Sequence, residues 1–267
     1  LKGWVALLSE AAAFDEAADE LRAKCGKRAI LFLILSIAFG FLAFFTFGIT
    51  LILFVPALVL TIVYFVKKGR LKKIDLDNEF RRVLLPFLET IAEDIPAEGR
   101  LRLELDLAGP VEAKIVQRQE IPPGRFRKVL ETVYQDPWCR AEVPLMDGSR
   151  LILDIENTFV TQDRYWRNPR GKSKHKTKWK KLVSATAGLA PAGFFDFDQG
   201  LLGREAGGEK LKLKEKQGAE IARLTRKFKF KAVNAQPAET IGPDALLAMF
   251  FQLGSMLKQS PAGGNQA

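Results

Sequence analysis

The sequence predicts a membrane-anchored α+β chain, in which a transmembrane helical hairpin carries a cytoplasmic antiparallel β-sandwich or partly open barrel with flanking helices. Three observations carry this expectation. Ala29–Val66 is a run of 38 residues without a charged side chain, fenced by Lys27 and Arg28 before it and Lys67, Lys68 and Arg70 after it. From Arg100 onward the apolar spacing changes to a period of two, the mark of strands with one buried and one wet face. Segments with helical spacing stand on both sides of the apolar run and near the C-terminal end.

Residues 1–28 read as an amphipathic helix. Trp4, Leu8, Ala11, Ala18, Leu21 and Cys25 recur every three or four positions, while Glu10, Asp15, Glu16, Asp19 and Glu20 form the other side. That acidity disfavours an anionic bilayer as its resting place, so the helix is expected to pack on the cytoplasmic domain or a neighbouring copy.

Residues 29–66 are the hairpin. As one straight helix the run would be about 57 Å long, nearly twice the ~30 Å hydrocarbon core, whereas two short antiparallel helices satisfy their own backbone hydrogen bonds and fit. The turn is expected at residues 46–50, where Gly48 accepts a backbone conformation that a side chain resists. Basic residues outside both arms place both termini in the cytoplasm of a bacterial inner (plasma) membrane protein. Insertion into one leaflet only is the alternative, because the turn carries no charge. The run is too long for the apolar region of a signal peptide. Ser36, Gly40 and Ala43 form a small face suited to close helix packing, within the hairpin or between copies. No ionisable side chain interrupts the arms, which argues against a charge-conducting pathway.

Residues 67–96 are a juxtamembrane helix. Lys72–Ile95 carries Phe80, Val83, Leu84, Phe87, Leu88 and Ile91 on one side, with Asp75 or Asp77 as cap and a bend at Pro86. Residues 97–235 form the β-rich domain. Its strand candidates are 100–107, 111–118, 138–145, 150–160, 172–186, 209–216 and 226–233, with a tight turn at Asp147-Gly148 and one short helix over Arg125–Tyr134. Residues 236–258 contain a helix over Pro243–Leu257 that is apolar around most of its circumference and therefore buried. Residues 259–267 are small and polar, the composition of a disordered tail. The two cysteines, Cys25 and Cys139, are far apart and read as reduced thiols.

The formal net charge is +10, and its most concentrated source is Arg164–Lys181. Nine of these eighteen residues are basic and none is acidic: Arg164, Arg167, Arg170, Lys172, Lys174, Lys176, Lys178, Lys180 and Lys181. Lysine occupies every second position from 172 to 180, which on a strand places five ammonium groups on one face. Lys210, Lys212 and Lys214 repeat the alternation, as do Lys227, Lys229 and Lys231. If these strands share a sheet they make a continuous cationic surface directed at anionic lipid head groups or an unidentified protein partner. Asp154, Glu156 and Asp163 are expected as its local counter-charges. Lysine on exposed strands also protects sheet edges from pairing, the competing explanation. Tyr165, Trp166 and Trp179 interleave with the basic residues, yet no nucleic-acid-binding motif accompanies them, so nucleic acid is disfavoured as a partner.

Catalytic chemistry has little to work with. The chain holds one histidine, His175, no phosphate-binding loop in the Gly200–Gly208 segment and only an isolated acid pair at Asp196 and Asp198. The sequence therefore predicts a membrane-anchored, non-enzymatic binding or scaffolding protein without catalytic, metal or cofactor residues. The alternative is an oligomeric membrane-shaping or pore-forming protein built on the hairpin, with homo-oligomeric contacts through Ser36, Gly40 and Ala43.

Overall fold

The computed structural model describes residues 2–46, 48–72, 79–107, 109–193, 195–198, 210–216, 219–232 and 240–259. They fall into two compact units, residues 6–76 and residues 77–267 with 1–5. Each unit is described by itself.

The first unit is a helical hairpin. Helix α1 (Lys2–Phe45) runs without a break from the charged N-terminal stretch into the apolar run, so no boundary interrupts it at residue 28. Helix α2 (Leu51–Leu71) continues through Pro56. Between them Gly48 adopts φ +88° and donates its N–H to the Ala43 carbonyl at 3.0 Å, the left-handed step that a side chain would oppose. Both helices are long and apolar enough to cross a membrane, and 11 % of each apolar window is buried, unlike the core helix of a globular domain.

The seam between the arms is built from small and weakly polar side chains. Ala29, Ser36, Ala57 and Thr61 are buried. Ser36 and Thr61 each donate their hydroxyl to the carbonyl four residues back, at 2.8 Å, which satisfies them without a partner on the other arm. A Cβ on Gly40 would lie 3.4 Å from the Phe54 ring, so Gly40 marks a close approach of the two arms. Phe32 stacks on Tyr64 at 5.6 Å, and the Thr50 hydroxyl donates to the Phe39 carbonyl. Large apolar residues such as Phe41, Phe44 and Ile52 point outward.

The second unit is one open antiparallel sheet with helices on one face. After a π turn at Phe80–Leu84, helix α3 (Leu85–Ile91) begins with Pro86 in its first turn. The sequence bend at Pro86 thus takes the form of a π turn before the proline, which lacks the N–H needed to continue the α ladder. The predicted caps Asp75 and Asp77 lie outside the described residues. The strands are β1 (Arg102–Leu105), β2 (Ile115–Ile121), β3 (Lys128–Pro144), β4 (Arg150–Arg167), β5 (Ser173–Ala190), β6 (Phe195–Phe197), β7 (Lys210–Lys216), β8 (Ala219–Ala232) and β9 (Leu257–Gln259); helix α4 spans Pro243–Gly254. The sheet order is β1-β3-β4-β5-β8-β7, with β2 on the other half of β3, while β6 and β9 form a separate pair.

This corrects the expected sandwich or barrel. The sheet does not close, and α3 and α4 take the place of a second sheet by supplying Phe87, Leu88, Leu246, Met249 and Leu253 to the core. Arg125–Tyr134 is likewise not helical: residues 128–134 open β3. Val129, Thr132, Val133 and Tyr134 are β-branched or aromatic and pair with β2 and β4, which outweighs the helical reading of that stretch. Strand β3 shifts register between Asp136 and Cys139, a bulge that accommodates Pro137 and carries the buried Trp138. The Asp147-Gly148 turn joins β3 to β4, with Gly148 at φ +81° and the Leu145 N–H donating to the Ser149 carbonyl at 2.8 Å. Helix α4 ends at Gly254 because Leu257–Gln259 pairs with β6.

Candidate functional site

The antiparallel registers of β4, β5, β8 and β7 decide which side chains share a face. Asn157, Phe159, Thr161 and Asp163 stand opposite Val183, Lys181, Trp179 and Thr177, and these belong to the face that α3 and α4 cover. The other face receives Lys174, Lys176, Lys178 and Lys180 from β5, with Arg164 and Trp166 from β4. Lys180 lies directly opposite Lys231, while Lys229 and Lys227 oppose Leu182 and Ser184. In the last strand Lys212 pairs with Arg223, and the register puts positions 210 and 214 on that same face. Three adjacent strands therefore present one cationic field. Lys174, Lys176, Lys178, Lys180, Lys212, Lys227, Lys229 and Lys231 are all exposed.

Placement differs from the sequence expectation at three residues. Lys172 and Arg170 sit in the β4–β5 turn, where Gly171 has φ +76° and the Lys172 N–H donates to Asn168 Oδ1, so four rather than five lysines alternate on β5. Arg167 pairs with Ser173 and belongs to the opposite face. The expected counter-charges are also engaged elsewhere. Asp163 accepts from Thr177 at 2.6 Å and meets His175 at 3.0 Å, Asp154 lies 3.6 Å from Arg140, and Glu156 accepts from Gln135. Among the described residues no ion pair joins a carboxylate to the lysines of this face.

At one end of the field the β2–β3 turn contributes Arg125 and Phe126, residues that the helical reading of this segment hid. With Arg164, Trp166, Lys176, Thr177 and Lys178 they line a cleft of about 660 Å³. Phe126 meets Trp166 edge to face at 5.9 Å, and the guanidinium carbons of Arg125 and Arg164 lie 5.4 and 5.2 Å from the Phe126 ring centre. Of the aromatic residues singled out from sequence, only Trp166 faces the cleft. Tyr165 stacks on His175 at 4.6 Å and Trp179 on Tyr134 at 6.3 Å.

The buried charged groups Lys181, Glu79 and Asp136 are paired, whereas among the described residues Trp138 Nε1 and Asn157 Oδ1 are buried without a hydrogen-bond partner. Lys181, the ninth basic residue of the run, forms a buried ion pair with Glu79, which also accepts from Thr240 at 2.7 Å. Lys114 bridges Asp136 at 2.5 Å and Asp106 at 2.8 Å. Burial pushes the Asp136 carboxyl above its ordinary pKa, with Lys114 working against the shift. Burial opposes the Lys114 charge, and hydrogen bonds to Asp106 and Asp136 more than offset it, so its pKa is raised. Cys139 is buried, and desolvation with nearby Asp154 pushes its thiol up to about 12, which makes it an unreactive thiol. Cys25 is also free and buried. Asp198 pairs with Lys258 at 3.4 Å, and among the described residues no group of three or more His, Cys, Asp or Glu is arranged to hold a metal. The Gly200–Gly208 segment and the 260–267 tail lie outside the described residues.

No family model, curated protein or solved structure matches this chain.

Proposed function

We propose that the chain is a non-enzymatic membrane protein of the bacterial inner membrane, anchored by the α1–α2 hairpin with both termini cytoplasmic, whose cationic sheet face binds anionic lipid head groups. The observation that carries this reading is the register of β5, β8 and β7. It gathers lysines from three separated segments onto one face, and among the described residues no carboxylate pairs with them. Like charges opposed across strands, as at Lys180 and Lys231, destabilise a sheet on its own and are offset by an anionic partner. An anchored domain meets the anionic leaflet at high effective concentration, which favours lipid over soluble anions.

The oligomeric pore reading rested on the small face of α1. Within one chain Gly40 approaches Phe54 and Ser36 is buried, which favours packing of the two arms on each other over contacts between copies. The test is binding of the full chain, held in phosphatidylcholine nanodiscs, to separate vesicles with increasing phosphatidylglycerol content. Binding is expected to rise with anionic lipid and fall with salt. Equal binding to neutral vesicles overturns the proposal.

A further inference from the structure

We propose that the cleft at the Arg125–Phe126 turn is a binding site for a phosphate monoester, a specific subsite within the broader cationic face. The inference rests on the proposed anion-binding role of that face, and it adds selectivity that a diffuse lysine field lacks. Four cationic side chains line the cleft, Arg125, Arg164, Lys176 and Lys178, and among the described residues no carboxylate joins them. A singly charged diester would leave much of this charge uncompensated. A dianionic monoester offers three oxygens to two guanidinium forks and two ammonium groups.

The guanidiniums are held in place. Both lie against the Phe126 ring, which limits their freedom before a ligand arrives. Arg164 Nη2 donates to Gln162 Oε1 at 2.7 Å, and Gln162 Nε2 donates to Glu131 at 2.8 Å. A neutral amide thus stands between Glu131 and the arginine, orienting the guanidinium without cancelling its charge. Phe126 and Trp166 supply an apolar wall beside the cations, suited to the carbon skeleton that carries the phosphate.

The phosphate can come from a lipid head group or from a soluble phosphorylated molecule, and the experiment separates these sources. The full chain in phosphatidylcholine nanodiscs is titrated with methyl phosphate and with dimethyl phosphate, following the tryptophan fluorescence that Trp166→Phe removes. Saturable binding of the monoester is expected, at least about tenfold tighter than the diester. Arg125→Gln with Arg164→Gln should abolish that preference, whereas Lys227→Gln with Lys229→Gln, outside the cleft, should keep it. In a second arm the chain is offered phosphatidic acid or phosphatidylglycerol vesicles of matched surface charge. A preference for phosphatidic acid that depends on Arg125 and Arg164 assigns the lipid source, and monoester binding without that preference assigns the soluble one. Absence of any saturable monoester response, or equal response to the diester, overturns the site. Failure of phosphatidylglycerol vesicles to bind at all instead strikes the anionic-face reading and leaves the cleft to be judged on the titration.

Discussion

Removing three charges from β5 gives the sharpest quantitative expectation. Lys174, Lys176 and Lys178 share one face, are exposed and have no carboxylate partner among the described residues. At ~3.4 Å per residue they span roughly 14 Å, so each ammonium lies within about one Debye length of the next at ~0.1 M salt. A basic residue near an anionic surface contributes ~1 kcal/mol, which for three gives about 3 kcal/mol, or roughly 100-fold in vesicle affinity. Changing all three to glutamine should produce that loss in the nanodisc-to-vesicle assay at ~0.1 M salt, and the difference should shrink towards ~1 M as screening takes over. Arg118, Lys128 and Arg167 are exposed residues that the register assigns to the opposite face, and their replacement by glutamine removes the same charge. If that control lowers affinity as much as the β5 variant, net charge and not the face drives binding. A loss below about threefold for the β5 variant contradicts a direct contribution of these lysines.

Three further perturbations test the architecture beneath this face. Gly40→Ile should lower the thermal stability of the hairpin in detergent, with Gly40→Ala tolerated because its methyl would sit in ordinary contact with Phe54; equal stability of all three forms would remove Gly40 from the seam. Lys114→Met leaves buried Asp136 without the partner that holds its pKa down and should cost about 3–5 kcal/mol in denaturant unfolding near neutral pH. The loss has a pH signature. A carboxyl whose folded pKa is raised contributes stability that is full below the ordinary aspartate range and disappears as pH climbs through the folded value, so the deficit should widen as pH rises above that range. A pH-independent deficit refutes the assignment. For topology, Cys25 and Cys139 are buried and make poor reporters, so single cysteines at Ile49 and Lys172 in a chain with both native cysteines changed to serine are the informative sites. In intact cells an impermeant maleimide should label the Ile49 site and spare the Lys172 site; labelling at Lys172 overturns the orientation, and sparing both indicates insertion into one leaflet.

The apolar hairpin was legible in the sequence because its signal is local: a long uncharged run, basic flanks and a glycine near the midpoint all lie within residues 27–70. The alternation in β5, β7 and β8 was local too. Its consequence was not, since bringing Lys180 opposite Lys231 depends on β8 crossing beside β5 while β7 takes the edge, a pairing that composition does not encode. The choice of one open sheet over a sandwich depended on where the apolar surfaces of α3 and α4 dock, which periodicity leaves open. Arg125 and Phe126 were missed for a specific reason. They fall in the helix expected over Arg125–Tyr134, whereas the β-branched residues from Val129 onward extend a strand and leave Arg125 and Phe126 in the turn before it. Lys181 shows the reverse case, a residue at the end of the basic run that the strand parity sends inward to Glu79.

The proposed function requires that the cationic sheet face bind anionic lipid of the membrane that holds the hairpin. It is tested most directly by lysine acetylation footprinting of the full chain in nanodiscs of phosphatidylcholine alone and of phosphatidylcholine with phosphatidylglycerol. The account predicts that anionic lipid slows modification of Lys174, Lys176, Lys178, Lys227 and Lys229, while exposed Lys128, on the opposite face, reacts at an unchanged rate. Identical rates for these lysines in both lipid compositions, or equal protection of Lys128, would contradict it.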